Sequence, residues 1–160
     1  VTPIVYLPYL NGERAPFIDP LARAAFIGMS AGTHRADLVR AVLEGVAFAY
    51  RHVLDTLMTE ALSQLIMTGG GTRSGKWCQL FADILGVPIV VIEDAENAAV
   101  RGAIMSAQVA AEVRADYALE ARVNRATTFQ PDSANHETYA RKYAIYRAAY
   151  PALKPLFDMR

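Results

Sequence analysis

The sequence has almost no cysteine and no excess of either charge. Its one thiol, Cys78, excludes an internal disulfide framework and a cysteine-rich zinc site, and it fits a reducing, cytoplasmic environment. The 16 basic and 16 acidic residues give a formal net charge of zero, so we expect no nucleic-acid partner. Long hydrophobic runs are also missing. The longest, residues 85–92, is too short to cross a bilayer and is interrupted by Gly86 and Pro88, so we expect no membrane partner either.

Targeting signals are absent as well. The chain begins at Val1 rather than at a methionine, and no signal peptide is visible. We therefore expect a piece of a longer protein. Its 160 residues suffice for one hydrophobic core and one domain. Within that domain we distinguish a loop-rich N-terminal segment (1–33), an α/β core (34–113) and a C-terminal extension with a helix (114–160).

The most informative stretch is a glycine turn between two regular elements. An apolar run at residues 64–68 predicts a buried strand, which stops at the glycines 69–71, and a helical pattern restarts near Ser74. Glycine allows a positive φ and a close approach of the backbone to a ligand. A helix start presents unpaired N–H groups and a positive dipole end, so this turn is a candidate phosphate site, with Ser74 placed to cap the helix. The alternative is a tight turn that only lets helix and strand pack closely.

Basic residues accompany this turn, but two familiar motifs are incomplete. Arg73 and Lys76 occupy the approach and first turn of the helix, where an acidic residue is usual, and they suit a negative ligand. The stretch matches most of a Walker A motif, yet Trp77 stands where Ser or Thr would bind magnesium. The dinucleotide fingerprint fails too, because Ser74 replaces its last glycine.

Helical periodicity predicts a long helix from about residue 36 to residue 59, with Thr33 as its N-cap. Gly45, in the middle of this helix, costs about 1 kcal/mol relative to alanine. We therefore expect a close contact between helix and sheet at Gly45. A second strand, residues 89–92, is apolar throughout, which is typical of parallel sheets.

Two helices are expected after the second strand. An acidic turn at residues 93–97 leads into a helix that ends near Val113, and its small side chains predict close packing against a sheet. The last helix is expected to be capped by Asn135 and limited by Pro151 and Pro155. Its tyrosine stripe has helical spacing, which usually indicates packing.

The order of elements predicts an α/β fold with a parallel sheet and right-handed crossovers. Only two strands are convincing, however, and two strands cannot cover the apolar faces of four helices. Either the N-terminal segment supplies further strands or they lie upstream of Val1. We favour the second interpretation.

Several motifs together resemble the C-terminal domain of the FGGY family of carbohydrate kinases, nearest to pentulose kinases of the xylulokinase type. The resemblance covers most of the chain. Its motifs are Leu7-Pro8-Tyr9-Leu10-Asn11-Gly12-Glu13-Arg14-Ala15-Pro16, then Arg40-Ala41-Val42-x-Glu44-Gly45, and finally Gly69-Gly70-Gly71-x-x-Ser74-x-x-Trp77-x-Gln79-x-x-Ala82-Asp83-x-x-Gly86-x-Pro88.

This resemblance implies an actin-like ATPase fold related to ribonuclease H, lacking its first strands. It implies phosphorylation of a sugar, with ATP as the phosphate donor and Mg²⁺ as the metal ion. The loop at residues 11–14 favours a pentulose such as xylulose as that sugar. The implied nucleotide-binding residues are Gly69, Gly70, Gly71 and Ser74.

The resemblance also implies what this chain lacks. The family's general base, an aspartate, and its phosphate loop precede the residues that match Val1, so we expect no catalytic residue and no metal ligand here. Asp37, Asp55 and Asp83 lie on helix faces and are not candidates. The expected partners are the sugar, the missing N-terminal domain and further copies in a homo-oligomer. The alternative is a non-catalytic nucleotide-binding or scaffold module with the same fold.

Overall fold

The computed structural model describes residues 2–116 and 126–159. Its elements, in chain order, are β1 (Val5–Leu7), β2 (Ala25–Ile27), α1 (Arg35–Leu57), β3 (Leu65–Ile66), α2 (Gly75–Leu85), β4 (Ile89–Ile92), α3 (Ala98–Ala110), β5 (Ala126–Phe129) and α4 (Ser133–Phe157). Short 3-10 helices precede α2 and α3, at Gly70–Arg73 and Ala95–Asn97. These elements form two compact units.

The first unit comprises the residues up to Ala61, Asp83–Gly86 and the chain from Pro131 onward. In it β1 and β2 form an antiparallel pair, and α1 packs across β1. The contact predicted at Gly45 is confirmed, because a Cβ there would lie 2.4 Å from the backbone oxygen of Tyr6. Any side chain at position 45 would push the helix off the strand.

The start of α1 differs from the prediction. His34, not Thr33, is the N-cap residue, and the Asp37 carboxylate accepts a hydrogen bond from the His34 N–H at 2.9 Å. The Thr33 hydroxyl instead accepts from the N–H of Ser30 at 2.9 Å, one turn earlier. Thr33 therefore orders the preceding loop, and the cap is made by the acidic residue three positions after His34.

A buried carboxylate connects three parts of this unit. Glu44 on α1 is completely buried and is paired with the Lys142 ammonium group of α4. The Arg40 Nε also donates to Glu44, at 2.8 Å, while Lys142 donates to the Thr2 carbonyl at 2.7 Å. Burial lowers the pKa of Lys142, and the Glu44 carboxylate opposes that shift. Since an unpaired buried charge is costly, α1, α4 and the N-terminal segment are held in one arrangement.

The last helix, α4, is longer than predicted at both ends. It begins at Ser133, and its N-cap is Asp132, whose side chain accepts from the Asn135 N–H at 2.8 Å, so the predicted cap at Asn135 is wrong. The helix also continues through Pro151 and Pro155, although each proline removes one backbone hydrogen bond. Ala149 and Phe157, two residues before Pro151 and two after Pro155, are buried in the first unit.

The tyrosine stripe of α4 does pack, as predicted. Tyr139, Tyr143 and Tyr146 are buried around Phe48 of α1. The Tyr146 and Tyr9 hydroxyls share a hydrogen bond of 2.8 Å, and burial raises the pKa of Tyr143 to about 12. These rings therefore form the core that holds α4 against α1.

The second unit comprises Leu62–Ala82 and Val87–Gln130. Its sheet has the order β3-β4-β5, with β3 parallel to β4 and β5 antiparallel to β4. The strand predicted at residues 89–92 is confirmed. The one predicted at 64–68 is reduced to two residues and is not buried as expected, since Ile66 is 62% exposed. β1 and β2 were not predicted as strands, and β5 falls in a segment predicted only as extended. The N-terminal segment thus supplies two strands of its own, which does not conflict with further strands upstream of Val1.

The helix α3 does not pack as expected. It ends at Ala110, short of Val113, and none of its residues is buried. Val100 and Ile104 are 58% and 52% exposed. Small side chains permit a close approach to a sheet but do not cause one, and the strands of this unit are only two to four residues long. The prediction that α3 lies close against a sheet is wrong for this structure.

Within the described residues, no helix combines the length and apolar character needed to cross a bilayer.

We expect Lys142→Met to destabilise the first unit strongly, because it leaves Glu44 buried without its counter-charge. Removing one partner of a buried pair costs about 3–5 kcal/mol, and urea denaturation should show a loss of about 3 kcal/mol in the free energy of unfolding. Arg141→Met, the same truncation at an exposed neighbouring position, is the control and should change it by less than about 0.5 kcal/mol. Equal losses for the two variants would contradict this role of Lys142.

Candidate functional site

The glycine turn lies at the edge of the second unit's sheet, where two parallel strands end. β3 is followed by the turn and β4 by the acidic residues 93–97. The Gly69 N–H donates to the Ala95 carbonyl at 2.9 Å, so the two turns lie side by side. In α/β sheets, ligands bind in the crevice outside the carboxyl ends of the strands. The turn therefore has the position of a binding site.

The first two glycines of the turn face open space. Gly69 has a φ of +93°, a conformation that favours glycine, and Gly70 starts the 3-10 helix Gly70–Arg73. Among the described residues, a Cβ built on either glycine would have no atom within 4 Å apart from its chain neighbours. At Gly70, therefore, neither strain nor packing within the chain explains the absence of a side chain, and an external ligand could approach the backbone there.

Gly71, the third glycine, has to lack a side chain for a different reason. A Cβ on Gly71 would lie 2.9 Å from the indole Nε1 of Trp77, which in turn packs on Phe81 with ring centroids 5.0 Å apart. Gly71 is therefore needed for the packing of Trp77. The two interpretations of the turn thus apply to different residues: close packing explains Gly71, and access from outside remains for Gly70.

Ser74 caps α2 as predicted. Its Oγ accepts a hydrogen bond from the Trp77 N–H at 3.3 Å, and its own N–H donates to the Gly71 carbonyl at 3.2 Å. The residue is exposed. A hydroxyl has one donor and two acceptor positions, so capping leaves its proton free for another partner.

Charged side chains surround the two turns. Asp94 pairs with Arg101 at 2.8 Å, and Glu96 lies 3.8 Å from the Nε of Arg73. The sequence interpretation treated the acidic turn as a helix start and missed that Glu96 neighbours the glycine turn. The available signal was positional: both segments directly follow a strand, and parallel neighbours end at the same edge of a sheet.

The aspartates that the sequence interpretation set aside hold structural hydrogen bonds in the first unit. Asp83 is 5% exposed, and its carboxylate accepts from the Asp132 N–H and the Asn135 amide, both at 3.0 Å. Asp55 accepts from the Tyr143 hydroxyl at 2.7 Å, and Asp37 completes the cap of α1. Each carboxylate thus has a local structural partner.

Comparison with known proteins assigns the chain to a protein family. The model of the C-terminal domain of the FGGY family of carbohydrate kinases matches residues 1–111. The chain belongs to the FGGY family of carbohydrate kinases. The xylulose kinase of Staphylococcus epidermidis is 31% identical over 156 residues, which cover 96% of this chain and 32% of that protein. This FGGY chain therefore spans about a third of the length of the relatives it matches.

Solved structures agree with the FGGY assignment. Ligand-bound xylulose kinase from Lactobacillus acidophilus matches with a TM-score of 0.81 and 28% identity, over 98% of this chain and 32% of that one. Plasmodium falciparum glycerol kinase with ADP matches with a TM-score of 0.67 and 26% identity, over 90% of this chain and 30% of that one. The predicted family and its actin-like fold class are confirmed.

We expect Gly71→Ala and Gly70→Ala to differ although the residues are adjacent. An added methyl on Gly71 must displace the Trp77 indole, and overpacking of this kind costs about 1–3 kcal/mol in unfolding free energy. At Gly70 the methyl meets open space, so the change should stay within about 0.5 kcal/mol. Urea denaturation followed by fluorescence measures both, because Trp77 is the only tryptophan. An emission spectrum unchanged in Gly71→Ala would contradict the packing role.

Proposed function

We propose that this chain is the ATP-binding part of a carbohydrate kinase, which transfers the γ-phosphate of ATP to a hydroxyl of a sugar. Its membership of the FGGY family supports the reaction class. The proposed sugar is a pentulose such as xylulose, supported by the xylulose kinases among its relatives and by the loop Asn11-Gly12-Glu13-Arg14. Glycerol kinase, also a structural neighbour, acts on a smaller polyol. The identity of the carbohydrate is therefore the more specific part of the proposal.

The nucleotide is proposed to bind at Gly69, Gly70, Gly71 and Ser74. The observation that carries this assignment is the open face of Gly70, where a Cβ would meet no other atom of the described residues within 4 Å. Backbone N–H groups at such a turn, next to the start of α2, suit a phosphate or a ribose. Gly71 contributes through its backbone, and Ser74 through the hydroxyl proton that capping leaves free.

Magnesium is proposed to arrive with ATP. Mg²⁺ in such enzymes keeps several waters and is held by substrate phosphates with one or two carboxylates. Among residues 2–116 and 126–159, no group of three His, Cys, Asp or Glu side chains could hold a metal ion.

The rest of the enzyme is proposed to lie on an N-terminal domain that supplies the general base and most of the sugar pocket. The comparison lengths support this, since the chain covers only 32% of the S. epidermidis enzyme. We also place the enzyme in the cytoplasm and propose that it forms a homo-oligomer. Large apolar side chains exposed on α1, such as Val39 and Tyr50 at 53% and 58%, support association with another surface.

A non-catalytic nucleotide-binding or scaffold module with the same fold is the second candidate. Asp37, Asp55 and Asp83 all hold structural hydrogen bonds, which favours this candidate for the 160-residue chain taken by itself. The two candidates share the nucleotide site and differ in whether a general base acts beside it.

We expect the 160-residue chain to release no ADP from Mg·ATP in the presence of xylulose, because the proposed general base lies outside it. A coupled ADP-release assay measures this, with a full-length xylulose kinase as the positive control. Turnover above the rate without enzyme would show that a catalytic base lies within these residues.

We expect Gly70→Val to weaken ADP binding by more than about tenfold, or 1.4 kcal/mol, because its side chain fills the open face of the turn. Lys76→Ala should change the dissociation constant by less than about twofold, since a Walker-type lysine is not part of the proposed site. Isothermal titration calorimetry on folded variants measures both. If Lys76→Ala abolished binding and Gly70→Val did not, the site would be of the Walker type.

A further inference from the structure

The acidic turn beside the proposed nucleotide site presents an electrostatic problem. Residues 93–97 include three carboxylates, and the hydrogen bond between Gly69 and Ala95 brings this turn next to the glycine turn. Like charges repel more strongly where protein replaces water, so carboxylates here oppose the binding of a polyphosphate unless cations neutralise them. The structure pairs Asp94 and Glu96 with arginines, but the two pairs differ.

The pair at Asp94 is a tight one. Arg101 Nη1 donates to the Asp94 carboxylate at 2.8 Å and to the Asp94 carbonyl at 2.7 Å. The guanidinium therefore holds both the backbone and the side chain of this residue. Exchange of Arg101 to a ligand would break two hydrogen bonds, so this arginine belongs to the turn itself.

The pair at Glu96 is loose. Arg73 Nε lies 3.8 Å from Glu96 Oε1, which is beyond hydrogen-bond distance, and the Arg73 side chain is 72% exposed. Exposed ion pairs of this kind contribute little to stability. Arg73 ends the 3-10 helix that starts at Gly70, and it directly precedes Ser74. A weakly held guanidinium is thus attached to the backbone of the proposed site.

Phosphate is a better partner for this guanidinium than the distant carboxylate. Arginine binds phosphate oxygens with two parallel hydrogen bonds of about 2.7–2.9 Å. We propose that Arg73 binds a phosphate group of the nucleotide and that Glu96 holds Arg73 in an exchangeable ion pair while the site is empty. The ligand class is a nucleoside di- or triphosphate, and the inference rests on the proposed function.

Two consequences distinguish this role of Arg73 from a nonspecific attraction of anions by a basic surface. Arg73 acts on the phosphates, so it matters for ADP but not for adenosine, which has the same base and ribose. Glu96 competes with the phosphates, so its neutralisation favours ADP. If Glu96 instead accepted hydrogen bonds from ribose hydroxyls, its neutralisation would weaken both ligands equally.

The experiment measures the binding of ADP and adenosine to the full 160-residue chain by isothermal titration calorimetry. The variants are Arg73→Gln, Glu96→Gln and the double variant, with Lys76→Gln as the matched control for loss of one nearby positive charge. Circular dichroism and urea midpoints equal to those of the unchanged chain establish that each variant is folded. Because the exposed Arg73–Glu96 ion pair contributes little to stability, we expect the urea midpoints of these variants to equal that of the unchanged chain.

We expect Arg73→Gln to weaken ADP binding about tenfold, the loss of one charge-assisted contact, and to leave adenosine binding unchanged. Glu96→Gln should tighten ADP binding about twofold to threefold. In the double variant, Glu96→Gln should restore about threefold of the loss, because the carboxylate left unpaired by Arg73→Gln is removed. Lys76→Gln should change ADP binding by less than about twofold.

Three results would overturn the inference while leaving the proposed function in place. In the first, Gly70→Val abolishes ADP binding but Arg73→Gln does not change it. In the second, Arg73→Gln and Lys76→Gln weaken ADP binding equally. In the third, Glu96→Gln weakens the binding of both ADP and adenosine. A folded, unchanged chain that binds neither ligand would overturn the proposed nucleotide site itself, and the role of Arg73 with it.

Discussion

The carboxylate of Glu44 constrains the first unit more than any other group. It is completely buried, and a charge without water must be met by opposite charge and hydrogen bonds. Lys142 from α4, Arg40 from its own helix and the Tyr139 hydroxyl meet it. Because Lys142 also donates to the carbonyl of Thr2, one anion ties together segments far apart in the chain. The tyrosine core then packs around this polar centre, and the Gly45 contact with β1 lies beside it.

In the second unit the important constraint is steric rather than electrostatic. The glycine turn has to reverse direction at Gly69 and to leave room for the Trp77 indole at Gly71. Only Gly70 has neither requirement, which is why its open face is the strongest physical argument for a ligand. Two short 3-10 helices at the ends of parallel strands form the surroundings of this face. The ligand binding proposed for this unit follows from the absence of a side chain at Gly70.

Family membership adds what the geometry of this chain does not contain. An open glycine turn beside a helix start suits a phosphate, but it does not by itself distinguish a kinase from another nucleotide-binding protein. The match to the FGGY C-terminal domain supports the proposed reaction class, and the proposed division of labour would explain why the described aspartates have structural partners. In the proposed enzyme this site would bind and orient a nucleotide, and a base on a different part of the enzyme would accept the proton.

The sequence by itself determined the features that depend on neighbouring residues. The strand at 89–92, the cap at Ser74 and the contact at Gly45 follow from periodicity, hydroxyl chemistry and the absence of a Cβ, which act over a few residues. The family could also be read from motifs along the chain. The extended conformation at β5 could be read from the sequence, but its antiparallel pairing with β4 could not, since a short polar segment shows its partner only in the fold.

Only the tertiary structure decided which of the three glycines is kept free of side chains by the packing of Trp77 and which have an open face. The same holds for α4, which continues through two prolines, and for α3, whose small residues were expected to be covered and are not. The neighbour relation between Glu96 and Arg73 likewise depends on parallel pairing of β3 and β4. Local patterns limit the conformations of a segment, whereas its contacts depend on residues distant in the chain, and these contacts decide burial and exposure.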